Sequence, residues 1–213
     1  MAGKRRKLTL KSRSTSISLM KRAWRSMAAM TVGLTLLVLA GCGGKPFNVK
    51  SDVVLPALAG AAVGEAGGVR MQAAAVGDED YLLATFDANL ILAGVLPVNL
   101  TVTNQTAAPL DLRKARFEVR STDGHVYKVA DSKRAFARLI KYYGISTYNK
   151  SGYKKSREDF AAYAFDTAKP LPMGESRQGM LFFVVPDGVI RAAGLKLIGA
   201  RLGAAESVEL RLN

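Results

Sequence analysis

The chain of 213 residues has one cysteine, one histidine and one tryptophan. With Cys42 as the only thiol, no disulfide can form within it, so stability has to come from packing alone. A single histidine, His125, excludes the imidazole clusters that hold zinc or copper and leaves any histidine chemistry one candidate base. Acidic residues are absent from the first 41 positions, which hold nine of the 31 Lys and Arg. Long apolar runs are absent too. Residues 27–40 supply fourteen positions broken by Thr31, Gly33 and Thr35, where a membrane-spanning helix needs roughly 20. The glycines from Gly64 to Gly68 stand in no strand–loop–helix setting, so a phosphate cradle is not expected. Carboxylates are scattered apart from Asp78-Glu79-Asp80, and no cofactor or metal is expected.

The start of the chain is ordered in a recognisable way. Basic Lys21-Arg22-Ala23-Trp24-Arg25 precedes the apolar residues 27–40, which end in Leu39-Ala40-Gly41-Cys42. A positive segment, a short apolar core and small residues before a cut are the parts of a secretory signal. The lone cysteine at its end resembles that of bacterial lipoproteins, with Leu39, Ala40 and Gly41 as the lipobox. The resemblance implies cleavage before Cys42, a diacylglyceryl group on its sulfur and an acyl chain on the new amino terminus. Several chains make a stable anchor, since each buried methylene contributes about 0.8 kcal/mol. Residues 1–19 precede Met20, where a signal of ordinary size opens, and read as an extended basic segment or an early start. Gly43 replaces the aspartate that favours inner-membrane retention in Gram-negative lipoproteins. The resemblance thus implies a cell-envelope location, at the outer membrane where there are two.

Without residues 1–41, 22 basic residues face 17 acidic ones, leaving +5 in place of +14. The basic excess is mostly in the leader, and a nucleic-acid partner is not expected. Residues 42–80, rich in Ala, Gly and Val, read as a lipidated cysteine followed by a flexible tether. The five glycines from Gly60 to Gly77 oppose a helix there at about 1 kcal/mol each.

A domain is expected over residues 81–213. Residues 81–92 read as one buried strand or two short ones. Val98, Leu100 and Val102 alternate with Asn99, Thr101 and Thr103, a half-buried strand. In residues 110–120 the parity of Leu110 and Leu112 gives way to that of Ala115, Phe117 and Val119, which predicts a bulge or a change of sheet near Arg113 and Lys114. Asp123-Gly124 predicts a hairpin into residues 125–129. Helical spacing takes over in residues 131–165. Phe136, Leu139, Ile140 and Tyr143 form one stripe ending at Gly144, and a second helix is expected from Ser156, burying Phe160, Tyr163 and Ala164. Strands resume at 177–185, 195–202 and 208–212. The expected fold is mainly β, an immunoglobulin-like antiparallel β-sandwich with a two-helix insertion.

Leu171-Pro172-Met173-Gly174-Glu175-Ser176-Arg177-Gln178-Gly179-Met180-Leu181-Phe182-Phe183-Val184-Val185-Pro186 resembles the C-terminal signature of immunoglobulin-like bacterial lipoprotein domains with no assigned function. The strand of residues 98–104, Phe117 and the Asp123-Gly124 turn are similar to that family's first half. The resemblance covers about 100 residues and departs from the family in the helical insertion. It implies a fold and an exported setting and no reaction.

The insertion has the most functional content. Eight basic residues and no acid lie between Lys133 and Arg157, with four of the seven tyrosines. Lys141, Tyr142, Tyr143, Tyr148, Lys150, Tyr153, Lys154, Lys155 and Arg157 make a candidate binding surface for an acidic protein, anionic lipid or anionic envelope polymer. The alternative is a solvated loop whose aromatics cover one end of the sandwich. The expected role is a membrane-anchored, non-enzymatic interaction module. A structural subunit of an envelope complex and a hydrolase using His125, oriented by Asp123 or Asp131, are the other readings.

Overall fold

A computed structural model describes residues 47–58, 60–145, 149–185, 194–203 and 205–212. The leader, Leu39, Ala40, Gly41, Cys42 and Tyr148 lie outside the described residues. The fold is mainly antiparallel β. Eight strands, β1 (Ala62–Ala66), β2 (Val69–Ala75), β3 (Val95–Asn104), β4 (Arg116–Arg120), β5 (Val126–Ala130), β6 (Ser176–Val184), β7 (Lys196–Leu202) and β8 (Ala205–Arg211), form one sheet in the order β1-β2-β3-β6-β5-β4-β7-β8. The sheet curls until its edges nearly meet. A Cβ on Gly64 of β1 would lie 2.8 Å from Leu210 and 3.0 Å from Val208 of β8.

Alternation builds the interior. Val69, Met71 and Ala73 of β2, Val98, Leu100 and Val102 of β3, Leu181 and Phe183 of β6, and Val208 and Leu210 of β8 share one concave core. β6 is apolar on both faces from Met180 to Phe183, and Val95 opens β3 on the same convex side, because that side is covered as well. Val95, Met180 and Phe182 pack there against three helices, α1 (Glu79–Phe86), α2 (Ser132–Tyr143) and α3 (Lys150–Ala162). Phe160 stacks on Phe182 at 4.6 Å and meets Phe86 and Phe136 at 5.4 and 5.5 Å. The inserted helices therefore form a layer on the sheet.

Several expectations are corrected. The tether does not run to Asp80, and the compact unit begins at Phe47. Within it, β1 and β2 form a hairpin around Gly67-Gly68, whose φ values of +56° and +75° suit a tight two-residue turn. Two of the five glycines that oppose a helix, Gly67 and Gly68, make the hairpin turn, and small alanines obscure the alternation of its strands. Residues 81–92 hold no strand; a helix is followed by turns up to β3. Asp78 accepts from Tyr81 N–H at 3.0 Å, Glu79 and Asp80 occupy the first turn, and α1 follows, with Leu82, Thr85 and Phe86 buried. The additional apolar residues Leu83 and Ala84 mask that spacing. The second inserted helix starts at Lys150, capped by Asn149, and Ser156 is a buried mid-helix residue. Between residues 110 and 120, a 3-10 turn (Leu112–Lys114) precedes β4. It lets Leu110, Leu112, Phe117 and Val119 reach one core in spite of the parity slip.

Residues 47–58 lie over the helices as a strap with no strand of its own. Lys50 N–H donates to the Thr85 carbonyl, Ser156 Oγ to the Phe47 carbonyl, Tyr163 Oη to the Asp52 carbonyl and Asn99 Nδ2 to the Pro56 carbonyl. Val49 is 1% exposed, and the Phe47 ring sits 6.0 Å from that of Phe136. Tyr81 Oη donates to the Val54 carbonyl at 2.7 Å, and burial pushes its phenol from 10.0 up to about 12. An unfolded chain ionises this phenol near its ordinary value while the folded chain holds it neutral. Its contribution to stability is thus complete below pH 10.0 and fades as pH climbs to about 12. In an absorbance titration, Tyr81→Phe is expected to lose one late-ionising tyrosine; an unchanged late component would mean that the phenol is solvated.

Candidate functional site

α2 and α3 position the candidate surface. Asp131 caps α2 by accepting from Arg134 N–H at 2.7 Å, and Gly144, at φ +60°, closes it. Phe136, Leu139 and Ile140 face the core, which leaves Lys133, Arg134, Lys141 and Tyr142 exposed. Tyr142 is 52% exposed and meets the Tyr143 ring edge-on at 4.9 Å. The Tyr143 hydroxyl is committed elsewhere. It accepts from Asn89 N–H at 3.1 Å and donates to the Asn89 carbonyl at 3.0 Å, and desolvation raises its phenol. Tyr153 packs on Phe136 at 5.5 Å. Of the candidate tyrosines, Tyr153 therefore helps build the layer; Tyr143, expected in the buried stripe, is exposed with its hydroxyl tied to the Asn89 backbone, and Tyr142 is presented to solvent.

The cations divide in the same way. Lys154 and Lys155 lie 3.8 and 2.6 Å from Glu158 and Asp159, one helical turn on. A count that stops at Arg157 misses both acids. Lys141, Lys150 and Arg157 have no carboxylate partner among the described residues, and neither do Lys133 and Arg134, exposed in the first turn of α2. Arg138 points into the layer, its Nε 3.0 Å from the Ala93 carbonyl.

His125 lies in the β4–β5 turn with its side chain 71% exposed and Nε2 3.7 Å from Asp123 Oδ2. Ser121 Oγ donates to Asp123 Oδ1. The carboxylate thus stands between hydroxyl and imidazole, whereas a serine nucleophile needs the imidazole in the middle. The serine bond chiefly lowers the Asp123 carboxyl, which is turn chemistry. Asp131 serves as the α2 cap. Among the described residues no group of three or more His, Cys, Asp or Glu could hold a metal, and no helix is long and apolar enough to cross a membrane. No family model matches the chain, and no curated protein or solved structure shows significant similarity to it.

Proposed function

We propose that the protein is a lipid-anchored envelope module that rests on its own membrane, with the α2/α3 face against anionic headgroups. The observation that carries this reading is the strap. Phe47 is held between Phe136 of α2 and Ser156 of α3, and only four residues separate it from Cys42. Five Cα steps reach at most about 17 Å, roughly two Debye lengths at physiological salt. Acyl chains on Cys42 would draw the helical side of the domain to the bilayer, where Lys133, Arg134, Lys141 and Lys150 add attraction. Tyr142 adds an amphipathic ring suited to the interface. The immunoglobulin-like resemblance and the outer-membrane assignment belong to the same reading, and β6 occupies the segment that carries the first. The reading includes no reaction.

The test is binding of an unacylated chain (Cys42→Ser, beginning at residue 42) to phosphatidylglycerol and phosphatidylcholine vesicles. Binding to the anionic vesicles alone, weakened by salt, is expected. Changing Lys133, Lys141 and Lys150 together to Ala is expected to weaken it more than tenfold, since each cation near an anionic surface contributes about 1 kcal/mol. Equal binding to both vesicles, or no effect of the triple change, removes the headgroup contact. Binding to neither moves the contact to an acidic protein or polymer.

A further inference from the structure

β5 changes partner part-way along its length. Glu118, Val119 and Arg120 of β4 pair with Lys128, Tyr127 and Val126, but Val129 and Ala130 pair with Phe183 and Phe182 of β6. From Glu118 toward Arg116, β4 therefore loses β5, which has moved beside β6, and a gap opens along that part of β4. A cleft of about 690 Å3 lies there, bounded by Arg116 and Phe117 of β4 on one side, by Ala164, Phe165 and Met180 on the other, and by Val129, Ala130 and Asp131 where β5 has moved beside β6. That volume is in the range of ligand sites. Its far wall is fixed. Phe165 N–H donates to the Met180 carbonyl and Met180 N–H to the Tyr163 carbonyl, and a Cβ on Gly179 would fall 2.5 Å from Phe165 Cα. The Phe165 ring meets Phe117 edge-on at 5.8 Å beneath the cleft.

The backbone of β4 faces this space with a definite polarity. Ser121 N–H donates to the His125 carbonyl, and Gly124 N–H to the Ser121 carbonyl. In an antiparallel pair, alternate residues exchange bonds with the same neighbour. Val119 is next in phase toward β5 and Phe117 follows, while Arg116 and Glu118 turn to Ala200 and Ile198 of β7. Phe117 thus directs N–H and C=O into the cleft at the point where β5 has left. An edge of this kind is a template for an added strand.

Charge selects among strands. The acids on the rim are engaged: Glu118 with Arg120 at 3.1 Å, and Asp131 with the start of α2. Exposed Lys128 and Arg116 have no carboxylate partner among the described residues; one Arg116 amine donates to the Ala115 carbonyl. We propose that the cleft is a peptide-binding site: an acidic, extended segment of a partner protein adds as a strand beside β4, bonds Phe117 through its main chain and directs a carboxylate to Arg116 and Lys128. This is independent of the anchor at Cys42.

The test titrates the full chain in detergent with the blocked pentapeptide acetyl-Glu-Val-Glu-Val-Glu-amide, which places acids outward and valines inward. Saturable binding is expected, with amide exchange at Phe117 slowed about tenfold and that at Glu118, already bonded to β7, unchanged. N-methylation of the two valine amides is expected to weaken binding at least tenfold, because it removes main-chain donors. Arg116→Glu with Lys128→Glu, both on exposed residues, is expected to weaken the acidic peptide and strengthen its lysine counterpart while the far-UV spectrum stays the same. No saturation at millimolar peptide, or indifference to N-methylation, overturns the proposal. Equal occupancy by decanoate would also overturn it, since the cleft would then recognise an apolar anion without reading a peptide backbone.

Discussion

Phe160→Ala is expected to lower the unfolding free energy by about 3–5 kcal/mol, read as a drop in the guanidinium midpoint at unchanged slope. Phe160 has no exposed surface and is the shared neighbour of Phe182 on β6, Phe86 on α1 and Phe136 on α2. Truncation leaves a void bounded by three helices and the sheet, and these rings cannot all move in to fill it, since each is held by its own element. Tyr142→Ala on the exposed side of the same layer serves as the comparison and is expected to cost less than about 1 kcal/mol. A loss below about 1 kcal/mol for Phe160→Ala would mean that the helices are not a packed layer. The positioning of the basic face would then have no basis.

The second large effect concerns attachment. When residues 1–42 are replaced by a cleavable secretory signal without a lipobox, the exported chain beginning at Gly43 is expected to leave the membrane fraction almost completely at high salt. At low salt it is expected to stay partly bound. The reason is the difference between the two attractions. Acyl chains contribute about 0.8 kcal/mol per methylene whatever the salt, whereas the cations of α2 and α3 are screened within about 3 Å at 1 M salt. Fractionation in high and low salt separates them, and retention at high salt would show that the domain holds to the envelope by something other than Cys42 and the basic face.

How much of this was legible depended on contrast. β3 and β6 were readable because large apolar residues alternate with threonine or run unbroken under two layers, as at Val98, Leu100 and Val102 or Met180 to Phe183. α2 was readable because Phe136, Leu139 and Ile140 stand against lysine and arginine. The β1–β2 hairpin was hidden because alanine can face inward or outward at little cost, so the one alternating stretch, Val69, Met71 and Ala73 against Arg70 and Gln72, is short and flanked by residues without a period. α1 was hidden by apolar residues on its exposed side, Leu83 at 45% exposure among them. The strap was illegible for a different reason. Its hold comes from single bonds to residues 27 to 111 positions away, such as Tyr81 to Val54 and Tyr163 to Asp52, and sequence spacing carries no trace of these.

The candidate surface was found as a composition and corrected as a geometry. Lysine and tyrosine in one segment indicated a face, but only the structure shows that Tyr153 packs into the layer, that the Tyr143 hydroxyl is tied to Asn89 and that Lys154 and Lys155 are offset by Glu158 and Asp159. The cleft beside Phe117 had no sequence signal, because it arises from β5 leaving one strand for another.

The most direct measurement is the intact mass of the chain recovered from native membranes. The account predicts a polypeptide that begins at Cys42 and carries the added mass of a diacylglyceryl group and an amide-linked acyl chain. A chain that still begins at Met1 or Met20 and has a free Cys42 thiol would contradict it.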